Sequence, residues 1–252
     1  MTNTIQALSR DLHGAKRWKP SPNLHFAAKS NAVGLLADEI PRAAMVLPLA
    51  FLKRGDSSYA PSAVLGLSPG ENLLLDKDHK WVGRYTPASL RAYPFVLARP
   101  SGDEKDQGKR VLCVQTQNDV IVDGPDGTPL FGEDGKPSPE VDKLLKFLLE
   151  MEQSRGKTDR AVAALVEAGV VVPWKLSLQD GDRKLALEGL FHVDEKALNE
   201  LPDEAFLKLR KAGAIALAHL MLLSEQNLPA LVELARLRRR SAARAQKTAT
   251  QH

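Results

Sequence analysis

At Ser138 the hydrophobic pattern of the chain changes period, so its two halves cannot share one architecture. Before it lie short apolar runs punctuated by Pro and Gly: AAMVLPLAFL, YAPSAVLGL, NLLLD, KWVGRY, YPFVLA and RVLCVQ. Such runs between turn signals predict strands, and their close spacing predicts antiparallel neighbours in a meander or partial barrel. After it, Val141, Leu144, Leu145, Leu148 and Leu149 recur at i, i+3, i+4, i+7 and i+8, one face of a helix. Ser138 suits the N-cap and Pro139 the first helical position, so a helix is predicted to Gln153. Thr158 is placed to cap a second helix, AVAALVEA, which Gly169 would end.

VVPWKLSLQDGDRKLALEGLFHV alternates on both sides of Asp180-Gly181, a hairpin signal. From Asp194 the pattern is helical again, through EKALNEL, DEAFLKLRKA, AIALAHLMLLSE and, after Pro229, LPALVELARLRRR. The predicted class is α+β, with an antiparallel β-rich N-terminal half and a helix-rich C-terminal half containing one β-hairpin. The predicted organisation is an N-terminal arm (1–20), a β-rich region (21–136), a helical region (137–228) with the hairpin at 171–192, and a basic C-terminal helix or tail (229–252). SGDEKDQGKR at 101–110 is expected as an exposed hairpin loop. Residues 119–136, with DGPDG and GEDGKP, are expected as a long loop holding one short strand at 120–122.

Apolar residues make up 43% of the 252, enough to bury a sizeable core. The single cysteine, Cys113, excludes a disulfide or thiolate cluster made within one chain, and its place in RVLCVQ predicts a buried structural thiol. The N-terminus, MTNTIQALSRDLHGAKRW, lacks the apolar core of a secretory signal. The longest apolar runs, at 45–52 and 214–223, fall short of the roughly 20 residues that span a bilayer. A soluble, cytoplasmic protein without a membrane span is therefore expected. The net charge of +4 comes from the tail, because residues 236–252 hold six cations and no acid. Arg236, Arg238, Arg239 and Arg240 would suit phosphate, making nucleic acid a candidate partner, or anionic lipid. They equally suit a helix C-terminus, where cations oppose the dipole.

Gly66-Leu67-Ser68-Pro69-Gly70 matches the Gly-x-Ser-x-Gly pattern of a nucleophile elbow. That elbow runs from strand through a strained turn into helix, and takes an oxyanion donor from the residue after Ser. Here that residue is Pro69, which has no N–H, and ENLLLD followed by KWVGRY predicts strand, turn and strand. Pro69-Gly70 is a turn pair, so Ser68 is expected at a hairpin tip. Gly156-Lys157-Thr158 resembles the end of a P-loop, but Met151 stands where the first glycine belongs. The acidic loop from Asp119 departs from calcium-loop spacing at Pro125. His13, His25, His79, His192, His219 and His252 include no i, i+4 pair, so no metal site is assigned. His219, among Ala and Leu, is expected in the core or at a helix interface. His192, beside Phe191, is the better candidate for a functional imidazole.

The densest chemistry is WVGRYTPASLRAYPFVLARP, where Trp81, Tyr85, Tyr93 and Phe95 interleave with Arg84, Arg91 and Arg99. Aromatics beside arginines make a binding surface through stacking and cation–π contacts; the alternative is that the rings anchor a small core. The same stretch carries a family resemblance. GENLLLDKDHKWVGRYTPASLRAYPFVL resembles the hallmark of the SapC-like bacterial proteins: a Gly-Glu-Asn hairpin, a Trp, a Tyr-x-Pro and an Arg-x-Tyr-Pro-Phe. The similarity continues through LFGEDGKPSPEVDKLLKFL and LEGLFHVDEKALNELPDEAFLKLRKAGAIALAHLMLLS, and the chain departs from it in the basic extension after Leu228. By its name the resemblance implies association with a bacterial surface layer, reached without a signal peptide by a non-Sec route. It does not imply the membrane permease that shares the name. Family genes that neighbour outer-membrane receptors and flavin-dependent halogenase-like proteins imply an accessory role in uptake or modification. The resemblance carries over no catalytic residues.

The expected function is a non-enzymatic accessory or binding protein that contacts a protein partner near Trp81, Arg84, Tyr85, Arg91, Tyr93 and His192, with no cofactor, metal or catalytic residue assigned. A second reading is a component of a cofactor-dependent modifying enzyme acting with His192 or Asp194. A third is nucleic-acid contact through the tail.

Overall fold

The computed structural model describes residues 5–55, 58–99, 110–116, 119–180 and 183–249. The chain begins with β1 (Ile5–Ala7), α1 (Arg10–His13), β2 (Arg17–Trp18), β3 (Ala32–Gly34), α2 (Ile40–Ala44), β4 (Leu49–Arg54) and β5 (Ser58–Val64). It continues through α3 (Ala88–Arg91), β6 (Phe95–Ala98), β7 (Val111–Gln115), β8 (Ile121–Val122), β9 (Thr128–Pro129) and α4 (Pro139–Glu167). The last third holds β10 (Val171–Pro173), β11 (Leu176–Asp180), β12 (Arg183–Leu187), β13 (Leu190–Val193), α5 (Glu195–Asn199), α6 (Asp203–Lys211), α7 (Ala214–Ser224) and α8 (Leu228–Ala249). This is the expected α+β class. The strands pair antiparallel, and none of the sheets among the described residues closes into a barrel.

Two compact units each draw on two stretches of chain: Met1–Phe26 with Ala88–Gln153, and Ala27–Pro87 with Ser154–His252. In the first unit β1 and β6 flank β7, and β8 and β9 flank β2. Its core gathers Ala92, Phe95, Val114, Leu130, Val141 and Leu148. Trp18 meets Phe95 edge to face at 5.1 Å. The 101–109 part of the expected loop lies outside the described residues; the strands on either side, β6 and β7, pair antiparallel from Phe95↔Val114 to Ala98↔Val111. Cys113 on β7 is a buried free cysteine, and burial pushes its thiol pKa up, partly offset by a backbone hydrogen bond at Ala98.

The second unit is built on the five-stranded sheet β10-β13-β4-β5-β3. The β4–β5 hairpin supplies its centre, and β13 returns from far along the chain to pair Phe191 with Phe51. Phe51, Leu49, Leu65 and Leu165 are fully buried, each contributing about 1.5–3 kcal/mol relative to exposure. Two polar side chains tie α7 and the turn after it to the start of β4 and to the end of α2. Ser224 Oγ accepts the Leu49 N–H at 3.1 Å, and Asn227 Nδ2 donates to the carbonyls of Ala44 (2.8 Å) and Leu47 (3.1 Å). The Asn227 bonds satisfy carbonyls that the end of α2 and its following turn leave unpaired. β11 and β12 form the expected hairpin, in register from Leu176↔Leu187 to Asp180↔Arg183; its tip residue Gly181 lies outside the described residues.

Several expectations are corrected. The two helices predicted on either side of Gly156 are one helix, α4, of 29 residues. Thr158 does not cap a helix: its Oγ1 donates to the Ser154 carbonyl at 2.8 Å and accepts the Ala37 N–H at 2.7 Å. Ser154 Oγ likewise accepts the Asp38 N–H at 3.0 Å, so these hydroxyls serve a neighbouring segment while the helix runs on. The run at 43–52 ends α2 before β4 begins, and ENLLLD with KWVGRY forms turns joined by a single bridge, Leu75↔Trp81. His219 is exposed, its Nδ1 2.9 Å from the Ile215 carbonyl. Helical structure also continues past the apolar run at 214–223. Ala214–Ala243 is long and apolar enough to cross a membrane, with mean hydropathy 1.3 and 39% of that window buried. Length and composition alone do not make a span, and here Leu217, Ala218, Met221, Leu231 and Val232 pack into the core.

Candidate functional site

The Gly-Glu-Asn hallmark folds as a loop held by its own backbone. A Cβ on Gly66 would overlap the Glu71 carbonyl oxygen, so only glycine lets the two ends of the Ser68-Pro69-Gly70 turn approach. Gly70 takes φ 76°, and Leu73 N–H donates to the Leu65 carbonyl at 2.7 Å. Asn72, 1% exposed, donates from Nδ2 to the Ala27 carbonyl at 3.0 Å and accepts the Leu74 N–H at 3.0 Å. Asp76 Oδ1 accepts the N–H groups of Asp78 (2.9 Å) and Lys80 (2.8 Å), an Asx turn that carries His79 into the left-handed region at φ 58°. Ser68 is exposed at the turn, with no oxyanion donor from Pro69.

Helix α8 runs beside this loop. Leu231, Leu234, Ala235 and Arg238 recur at helical spacing: the first three turn to the interior, and Arg238 ends the stripe with its guanidinium on the loop. It donates to the carbonyl of Asn72 at 2.9 Å and to that of Leu75. Between loop and helix lies a cavity of about 640 Å³. Leu73, Leu75, Asp76, His79 and Val82 line it from the loop, and Leu234, Leu237 and Arg238 from the helix. An apolar wall with a few convergent polar groups, in this range of volume, is the usual form of a ligand site. Val82 and Leu237, 51% and 50% exposed, are the large apolar side chains of this lining that remain open to solvent.

The sequence-predicted residues lie in several places. Trp81 is half-buried, bridged to Leu75 beside the cavity, and Gly83 leaves room for its indole, whose Nε1 is buried without an acceptor. Arg84 is exposed. Tyr85 donates its hydroxyl to Glu39 Oε2 at 2.8 Å, while Glu39, 8% exposed, accepts the Leu36 N–H at Oε1. After Pro87 the chain passes into the other unit. There the Arg91 guanidinium lies 5.0 Å from the centre of the Phe147 ring, and Tyr93 stacks on Phe26 at 3.6 Å. Burial, then the charge of Asp119, raises the Tyr93 phenol pKa. His192 stacks on Trp174 at 5.2 Å with its Nδ1 3.1 Å from Glu225 Oε1, and Asp194 caps α5 by accepting the Ala197 N–H at 3.0 Å. None of these side chains lines the 640 Å³ cavity.

Of the tail cations, Arg236 pairs with Glu233 at 3.5 Å and Arg238 is engaged with the loop; Arg239 and Arg240 are exposed on α8. Among the described residues no group of three His, Cys, Asp or Glu side chains is placed to hold a metal ion. By composition Arg238 is one of the tail cations suited to phosphate, whereas in the fold it is engaged with the loop. The signal that finds it is the apolar stripe on which it ends.

Comparison with curated proteins and with solved structures gives no match. A model of the SapC family matches residues 8–231, which include the loop wall of the cavity and exclude the helix wall from Leu234 onward. With that match covering most of its length, the chain belongs to the SapC family.

Proposed function

We propose that this protein is a non-enzymatic accessory protein that binds its partner or ligand at the cavity between the hallmark loop and α8. The observation that carries the reading is the cavity itself, about 640 Å³ with apolar walls and an apolar rim at Val82 and Leu237. Of the titratable groups around it, Lys77 and His79 complete the polar lining, while two are engaged with backbone. Asp76 Oδ1 is held by two backbone N–H groups and Arg238 by two backbone carbonyls, so both shape the walls. The loop wall lies within the family match and the helix wall from Leu234 lies beyond it. The family resemblance supports a partner at the cell envelope.

The test is affinity purification from native cells with the wild-type chain and with Val82→Glu and Leu237→Glu. Both positions are half exposed, so the fold should tolerate the change. Loss of the co-purifying partner or ligand from both variants, with retention by Ser68→Ala, is expected. Equal recovery from all of them would contradict the reading.

A further inference from the structure

A second cavity, of about 370 Å³, lies elsewhere in the same unit, where the latter part of α4 meets α2 and the corner between α6 and α7. The sequence places Lys157, Arg160 and Ala161 at i, i+3 and i+4, on one face of α4. Lys211 closes α6, and Gly213, at φ 73°, turns the chain so that α7 begins within two residues. Three cations, Lys157, Arg160 and Lys211, therefore line one small cavity whose lining includes no acidic residue. Lys157 meets the exposed carboxylate of Asp38 at 3.4 Å, a surface pair of little strength. No described carboxylate lies within ion-pair distance of Arg160 or Lys211. The first turn of α7 has no side-chain cap, so the helix dipole adds positive potential of the same sign.

The floor has the opposite character. Ile40, Ala161 and Leu217 are buried, and Pro41 and Leu220 continue the apolar surface. No side chain fills the space in front of Gly213. A strongly hydrated anion would leave the floor unused, and an apolar molecule would leave the cations unmatched. A negative head joined to a short aliphatic body satisfies both. The volume falls at the small end of ligand pockets.

We infer that this cavity is a binding site for a small aliphatic carboxylate, whose head is held by Arg160, Lys211 and Lys157 and whose chain lies against Ile40 and Leu217. The site is separate from the cavity of the hallmark loop, so either can fail without the other.

Octanoate is the probe, titrated into the full chain and followed by two-dimensional amide NMR. Saturable shifts are expected at the amides of Ala161 and Gly213 to Ala216. Octanol, which lacks the charge, and acetate, which lacks the chain, should each bind at least about tenfold more weakly, about 1.4 kcal/mol. Affinity should fall with added salt as the Debye length shrinks. Arg160→Gln and Lys211→Gln sit at exposed positions, and each should weaken octanoate about tenfold while leaving the rest of the spectrum in place. No shift at these amides with millimolar octanoate, equal binding of octanol, or unchanged octanoate binding by the double variant would overturn the assignment.

Discussion

Replacing Arg238 by Ala removes two charge-assisted hydrogen bonds from α8 to the hallmark loop, those to the carbonyls of Asn72 and Leu75. Both acceptor residues are buried, at 1% and 2% exposure. A hydrogen bond with one charged partner contributes roughly 1.5–3 kcal/mol when shielded. Arg238 is itself exposed, and water entering the adjacent cavity can replace part of what is lost, so the combined loss should be about 1–2 kcal/mol. For a chain of this size that lowers Tm by roughly 2–8 °C. Thermal unfolding measures the total, and native-state hydrogen exchange locates it. Protection should fall at the amides of Leu73 and Val82, which donate to Leu65 and Leu74 within the loop. Arg240→Ala, two residues along on the exposed surface, should change stability by less than about 0.5 kcal/mol. If Arg238→Ala proves no more destabilising than Arg240→Ala, or exchange at Leu73 and Val82 is unchanged, the structural role assigned to Arg238 is wrong.

Gly66→Ala drives a methyl group into the Glu71 carbonyl oxygen and should cost about 1–3 kcal/mol or more in urea unfolding; a neutral effect would show that the turn is looser than described. Thr158→Val leaves the Ala37 N–H without its acceptor and should destabilise by about 1–3 kcal/mol, whereas Thr158→Ser should restore most of the loss; equal stability of the two variants would refute the role given to the hydroxyl. The raised pKa of Cys113 means that the unfolded chain releases the thiol proton first as pH rises. Its contribution to stability is therefore intact below the unfolded pKa, about 8.5, and diminishes as pH rises from there toward the folded pKa. A Cys113→Ala variant should show a shallower loss of stability in that range, and identical pH profiles would count against a buried thiol.

The class of the fold was legible because strand and helix leave different periods. Val141 to Leu149 mark the face of α4, and Asp180-Gly181 marks the β11–β12 hairpin through alternation on both sides. What was not legible depends on distant chain. Gly156 looks like a break because glycine costs about 1 kcal/mol in a helix, yet bonds from Ser154 and Thr158 to residues 37 and 38 hold the helix through it. NLLLD has a strand's composition, but buried Asn72 and the Asx turn at Asp76 satisfy its backbone locally. The segment from Trp81 to Phe95 looked like one surface, yet Tyr85 bonds to Glu39 in one unit and Tyr93 stacks on Phe26 in the other. The hallmark loop was visible as a motif. The wall opposite it was hidden, because no local pattern states that a basic helix more than 150 residues away will close on it.

The proposal that this SapC-family protein binds at the loop–α8 cavity is tested most directly by hydrogen exchange on the chain alone and in complex with the partner or ligand purified from native cells. Binding there should slow exchange at residues 72–82 and 234–242 together. A footprint that leaves both segments unchanged, with protection confined to other parts of the chain, would contradict it.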